Sequence, residues 1–215
     1  MRIAILGGTG PEGSGLGLRW AAAGHEVIIG SRLAEKGQGV AAELKAILPD
    51  GDISGGDNLS AANRAEIVVL AVPYAAQRPT LEGLRAALSG KILVTVVAPT
   101  QKPKARVWRL PSGLSAAEEA QRQLGESVRV VAAFQNIGAH NLKDLDYVPD
   151  FDVLICGDKK DDKQVVAQLV EDAGFQAVNA GALQNASVVE GLTSVLIGIN
   201  IRHKVKDAGI RITGI

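Results

Sequence analysis

Aromatic residues make up only 3% of this chain, so a core drawn from its 47% hydrophobic residues must be built from Val, Ile, Leu and Ala. There is a single cysteine, Cys156, which excludes an internal disulfide and suits a reducing cytoplasm. With no identifiable activating partner, Cys156 reads as a small buried strand residue rather than a nucleophile. Net charge is also lacking: 23 basic and 23 acidic side chains cancel, which argues against a nucleic-acid protein that binds by neutralising phosphates. No stretch reaches the ~18 uninterrupted apolar residues that a membrane helix needs. The opening Met1-Arg2-Ile3-Ala4-Ile5-Leu6 runs straight into glycines and reads as a strand, not a signal segment. The three histidines, His25, His140 and His203, have no metal-ligand spacing, so no metal is expected.

What is present is an alternation of short apolar runs, bounded by some of the 25 glycines, with helical patterns. Strands are predicted near residues 2–7, 26–30, 66–72, 91–97, 128–134, 151–156 and 175–179. Leu16, Trp20 and Ala23 fall at i, i+4 and i+7 between the first two strands, and Gly24 supplies a stop. Further helices are predicted over 33–47, 59–64, 75–88, 114–124 and 161–173, with one long apolar helix from Ala182 to about Lys206. This pattern predicts an α/β fold: a Rossmann-type, doubly wound, mostly parallel sheet with a small C-terminal helical/αβ extension. Residues 1–140 are expected to form the nucleotide-binding domain. Residues 141–215 then complete the sheet, the substrate pocket and a dimer interface. The last helix is too apolar to stand uncovered; it either packs under the sheet edge or, the preferred reading, pairs with a second copy.

Gly8-Thr9-Gly10-Pro11-Glu12-Gly13 fits G-x-G-x-x-G directly after a strand and at the opening of a helix. The first glycine permits the turn, the second admits a pyrophosphate, and the third lets helix and strand pack closely. The anion would rest on the helix N-terminus, and Pro11 suits a first-turn position because its missing N–H has no helical partner. The carboxylate of Glu12 would repel phosphate there unless it points away. At the end of the second strand, where NAD proteins carry an acid for the ribose 2′-hydroxyl, this chain has Gly30-Ser31-Arg32, followed by Lys36. A guanidinium, a hydroxyl and an ammonium suit the 2′-phosphate of NADP(H). Val72-Pro73 and Ala98-Pro99 end two buried strands at the carboxyl edge, where open α/β sheets hold ligands. Between Glu82 and Glu118 there is no acid, while Lys102, Lys104, Arg106 and Arg109 crowd one segment. Such a loop could steer an anion at low salt.

These residues, together with Gly24-His25-Glu26-Val27, Val72-Pro73-Tyr74, Ser115-Ala116-Ala117-Glu118, Asn136-Ile137-Gly138-Ala139, Cys156-Gly157-Asp158, Ala180-Gly181 and Glu190-Gly191-Leu192-Thr193, give the chain a resemblance to a known family. That family is the NADPH-dependent reductases of the deazaflavin coenzyme F420, and the resemblance runs the length of the chain. It implies a homodimeric oxidoreductase passing hydride between NADP(H) and coenzyme F420, whose tail carries phosphate and glutamates. It implies cofactor contacts at Gly8, Thr9, Gly10, Pro11, Glu12, Ser31, Arg32, Lys36, Val72, Pro73, Ala98 and Ala139. It places Tyr74, Gln135, Asn136, Ile137, Ser187 and Thr193 near the second cofactor. No catalytic acid, base or nucleophile is implied, because hydride transfer between two bound rings asks mainly for positioning and exclusion of water. Two positions depart from the archaeal pattern, which has a basic residue at Ser187 and a histidine at Gln135; an anionic ring would lose a partner at Ser187. Two other readings stay open on the residues alone. One is an NADPH-dependent reductase of another acceptor, such as a flavin, an imine or a ferric chelate. The other is a non-catalytic NADP-binding protein.

Overall fold

The computed structural model describes residues 1–101 and 106–215. The chain runs β1 (Arg2–Leu6), α1 (Pro11–Ala22), β2 (Glu26–Ser31), α2 (Ala34–Ile47), β3 (Ile53–Asp57), α3 (Asn58–Arg64), β4 (Ile67–Leu70), α4 (Tyr74–Glu82), α5 (Arg85–Leu88) and β5 (Ile92–Thr95). It continues through β6 (Thr100–Gln101), β7 (Arg106–Val107), α6 (Ala116–Leu124), β8 (Arg129–Ala132), β9 (Asp152–Ile155), α7 (Lys160–Asp172), β10 (Gln176–Asn179) and α8 (Ala186–His203). Six strands form one parallel sheet in the order β3-β2-β1-β4-β5-β8, the order of the Rossmann fold.

Strand alternation divides the core in two. Ile3 and Ile5 of β1 face the layer holding Leu16 and Trp20 of α1, Leu44 of α2 and Val166 and Leu169 of α7. Ala4 and Leu6 face the opposite layer, with Ala61 of α3, Leu81 of α4, Ala117 and Leu124 of α6 and Val189 of α8. The central strands are buried on both faces, which explains their continuous aliphatic runs.

The C-terminal part does not extend the main ladder. β9 and β10 pair with each other in parallel, and an antiparallel bridge between Ala132 and Cys156 joins them to β8. Main-chain and side-chain bonds tie this unit to α1. Arg19 donates to five carbonyls, those of Asn141, Leu142, Asp144, Tyr147 and Ala173. Trp20 Nε1 donates to Leu169 O at 2.7 Å. The amide of Asn136 bridges to β9 from both ends, donating to Asp152 O at 2.6 Å and accepting from Leu154 N at 3.2 Å.

Three expectations are corrected. The strand β3 was not anticipated, because Ile53-Ser54-Gly55-Gly56-Asp57 carries one apolar residue. The helix expected over 75–88 is split, with Pro79 inside α4 and Gly83 after it. The helix expected from Ala182 begins as a 3₁₀ turn over Leu183–Asn185, and α8 ends at His203, capped by Lys204 in a left-handed conformation. No helix among the described residues is long and apolar enough to cross a membrane.

Candidate functional site

The glycine-rich turn leaves β1 through Gly7, whose φ of +72° is one that side-chain-bearing residues rarely adopt. Gly8 N then donates to Ile5 O and Gly30 O at 3.1 and 3.0 Å, and Gly10 N to Gly7 O at 3.3 Å. A Cβ on Gly13 would lie 2.9 Å from Gly8 Cα, so only glycine lets α1 sit this close to the turn. A Cβ on Gly10 would meet nothing nearer than Gly7 O at 3.8 Å, so this glycine faces open space. Gly10 caps α1 without a side-chain acceptor for the first amides of the helix. They are left for an anion, as a bound pyrophosphate requires.

A crevice of about 630 Å³ runs from this turn along the carboxyl ends of β1, β2 and β4. Thr9 and Gly10 line one part of it, Ser31, Arg32 and Lys36 another, and Val72 and Pro73 a third. The lining holds two cations and no carboxylate. The acid closest in register, Asp57 opposite Ser31, is occupied as the cap of α3, accepting from Ser60 N at 2.9 Å. These residues fit a dinucleotide bearing an extra phosphate. The structure adds Asn58, Ala76 and Thr80 to the lining, which local sequence does not mark. Asn58 Oδ1 accepts from Gly7 N at 3.4 Å, joining the end of β3 to the turn. A recess of about 370 Å³ at the other side of Thr9 and Pro11 is lined by Ala139, His140 and Lys143.

Glu12 lies half-buried in the first turn of α1, and burial pushes its carboxyl from the usual 4.5 up to about 8. A neutral carboxyl removes the repulsion expected beside a pyrophosphate. The sign follows from the raised value: the group is mostly protonated at pH 7 and becomes anionic as pH rises through 8. We therefore expect the Kd for NADPH to rise about fivefold between pH 7 and 9, the order of the ~1 kcal/mol between like charges 4 Å apart in water. Titrations with Glu12→Gln should be flat over the same range, and an identical rise in the variant would show that Glu12 is not the titrating group.

A second recess, about 270 Å³, lies between α8 and the segment preceding α6. Pro99, Trp108, Arg109, Leu110, Ser187 and Glu190 contribute to its walls. Glu190 is 4% exposed and accepts from Ala116 N and Ala117 N at 2.9 and 3.0 Å, so its carboxylate sits on the N-terminus of α6. Burial pushes the Glu190 carboxyl up to about 7 against the pull of those two amides. Ser115 caps the same helix, in a box closed by Glu118.

The residues expected near the second cofactor divide into groups. Ser187 lines the 270 Å³ recess. Gln135 is buried; its Nε2 donates to Thr95 O at 2.7 Å, and its main-chain oxygen accepts from Thr193 Oγ1 at 2.6 Å. Phe134, just before it, holds a left-handed φ of +73°, a costly conformation for a bulky residue at the carboxyl edge of the sheet. Ile137 packs against the core, and both ends of the Asn136 amide are used in holding β9. Tyr74 lies outside the recess, donating to Glu119 Oε2 at 2.7 Å and meeting Trp108 edge-to-face at 5.3 Å between ring centres. Of the basic segment, Arg109 reaches the recess and Arg106 is exposed in β7, while Lys102 and Lys104 lie outside the described residues. Cys156 is buried, which pushes its thiol up to about 11, so it is not a thiolate at neutral pH. Among the described residues no group of His, Cys, Asp and Glu could hold a metal ion.

Residues 2–99 match the family model described as NADP oxidoreductase, coenzyme F420-dependent. Over 223 residues the chain is 44% identical to the F420-dependent NADP reductase of Methanothermobacter thermautotrophicus, covering 100% of this chain and 96% of that protein. It is 41% identical over 225 residues to the F420-dependent NADP reductase of Methanocaldococcus jannaschii, covering 100% of this chain and 99% of that protein. Among solved structures it is similar to a putative F420-dependent NADP-reductase from Arthrobacter sp. FB24, with a TM-score of 0.82, 26% identity and 100% coverage of both chains.

Proposed function

This chain belongs to the coenzyme F420-dependent NADP oxidoreductase family, and from that premise we propose that it transfers hydride between NADP(H) and coenzyme F420. The observation that carries the reading is the crevice. It offers Ser31, Arg32 and Lys36 to a 2′-phosphate, holds no carboxylate to compete, and leads to the strand end at Val72 and Pro73. Gly8, Thr9, Gly10, Pro11 and Glu12 would seat the pyrophosphate at the opening of α1. Ala98 and Ala139 are the remaining cofactor contacts that the family resemblance implies. When bound, NADPH supplies the hydride, and solvent supplies the proton that balances reduction of the deazaflavin.

What the chain contributes is position and dryness. Pro99, Trp108 and Leu110 make the apolar wall against which a planar acceptor could lie. Gln135 and Thr193 brace the end of β5, and Ser187 lines the same recess as that wall. We read residues 141–215 as the part that completes this acceptor pocket and pairs with a second copy. Val188 and Ile201 of α8, 68% and 70% exposed, support a homodimer through that helix. A cytoplasmic setting agrees with the single buried cysteine.

The test is to mix the protein with NADPH and coenzyme F420 and follow the deazaflavin's visible absorbance, with NADH in parallel. Loss of absorbance with NADPH, and little with NADH, is the expected result. Unchanged absorbance while NADPH binds would reject F420 as the acceptor and turn the search to a flavin, an imine or a ferric chelate.

A further inference from the structure

A groove of about 520 Å³ between α4 and α6 lies outside the cofactor crevice. Its walls carry two guanidinium groups, those of Arg78 and Arg122, both on exposed residues. Neither has a carboxylate within ion-pair reach among the described residues. The one acid in the groove, Glu119, is already engaged, accepting from Tyr74 Oη at 2.7 Å and Ser112 Oγ at 2.5 Å. Gln77 is only 3% exposed; its Nε2 donates to Ala116 O at 2.8 Å, and its Oε1 has no donor.

A buried acceptor without a partner is costly, which makes this amide oxygen a pointer to a donor. The groove thus asks for two things at once: anionic groups for the arginines and an N–H for Gln77. A chain of glutamates joined by amide bonds carries both. The groove also adjoins the acceptor pocket, since Ser112 lines one and Gly113 the other. Tyr74, on the groove wall, touches Trp108, on the pocket wall.

We propose that the groove between α4 and α6, with Arg78, Arg122 and Gln77, binds the acidic, amide-linked tail of the deazaflavin acceptor. The proposal rests on the reading of coenzyme F420 as acceptor. Arg78 and Arg122 pair with tail carboxylates or phosphate, and a tail amide N–H donates to Gln77 Oε1. The phosphates of NADP(H) are served on the other side of α4, where Ala76 and Thr80 face the cofactor crevice.

The experiment compares coenzyme F420 with the same deazaflavin lacking the phosphate and glutamates, both reduced by NADPH. The readout is the ratio of their kcat/KM values in the parent protein, in Arg78→Ala/Arg122→Ala and in Arg78→Lys/Arg122→Lys. The alanine pair is expected to lower the ratio about tenfold through KM, the combined worth of two exposed ion pairs. The lysine pair should recover most of that loss, and added salt should lower the parent's ratio in the same direction. An equal ratio in parent and alanine variant, with both deazaflavins reduced, overturns the inference alone. Reduction of neither deazaflavin by the parent overturns the acceptor reading and the inference together.

Discussion

Arg32→Asp is expected to reverse the nicotinamide preference of this protein, lowering the ratio of kcat/KM for NADPH over NADH by roughly 10²–10³-fold. Arg32 follows β2 directly and lines the crevice with Ser31 and Lys36. Removing it deletes charge-assisted bonds worth about 1.5–3 kcal/mol each. The new carboxylate also faces a dianionic phosphate, and together the two effects reach about 3–4 kcal/mol, at ~1.4 kcal/mol per tenfold. Asp57, the acid closest in register, caps α3 by accepting from Ser60 N and does not line the crevice. In the variant the aspartate stands where NAD proteins carry the acid that holds the ribose 2′-hydroxyl. Steady-state kinetics with both dinucleotides decides the matter, and an unchanged preference would remove Arg32 from the 2′-phosphate reading.

The second large effect concerns stability. Gly37 lies where α2 crosses the ends of β2 and β3; an added Cβ would fall 2.5 Å from Gly56 O and 2.6 Å from Ile29 O. Both are main-chain atoms and cannot swing aside, so Gly37→Ala must push the helix off the sheet. Overpacking of this kind costs up to ~3 kcal/mol, or roughly 6–12 °C in Tm for a chain of this size. Gly39, two residues on in the same helix, has nothing within 4 Å of its virtual Cβ. Gly39→Ala should therefore raise Tm slightly, because alanine is favoured over glycine in a helix interior by about 0.5–1 kcal/mol. Thermal unfolding of the two variants tests the sign as well as the size; a Gly37→Ala protein melting with the parent would contradict the packing.

The same crossing explains why β3 was illegible. Gly55 and Gly56 are in that strand because α2 presses on it, and Gly55 abuts Gly37 O. A strand selected for closeness to a helix carries no alternation of large side chains to read. The strands buried on both faces show the opposite case, since Ile67-Val68-Val69-Leu70 and Ile92-Leu93-Val94-Thr95 announce themselves. In the site, the turn at Gly8–Gly13 and the triplet Ser31, Arg32 and Lys36 were legible because each works through local geometry. Asn58 and Thr80 were not, since they reach the crevice from separate elements brought together only by the fold. Gly7 was also overlooked: the fingerprint begins one residue later, and nothing in the sequence marks a positive φ. The family resemblance places Asn136 near the second cofactor, and the fold uses both ends of its amide to hold β9. Tyr74 reads the same way, and its hydroxyl goes to Glu119.

The bonds from Arg19 also bear on the order of folding. Its partners lie up to 154 residues away in sequence, and all the acceptors are main-chain carbonyls of the C-terminal part. Contacts that close such long loops must wait until both ends are in place, because the entropy of closure comes due before any bond forms. The βαβ turn around α1 can assemble early from local contacts, whereas the guanidinium finds its carbonyls only at the end. A bond that forms after the rate-limiting step does little for how fast the chain folds and much for how slowly it comes apart. Arg19→Ala is thus expected to speed unfolding more than it slows folding, by releasing the loop that carries His140 and Lys143 to the recess beside Thr9 and Pro11.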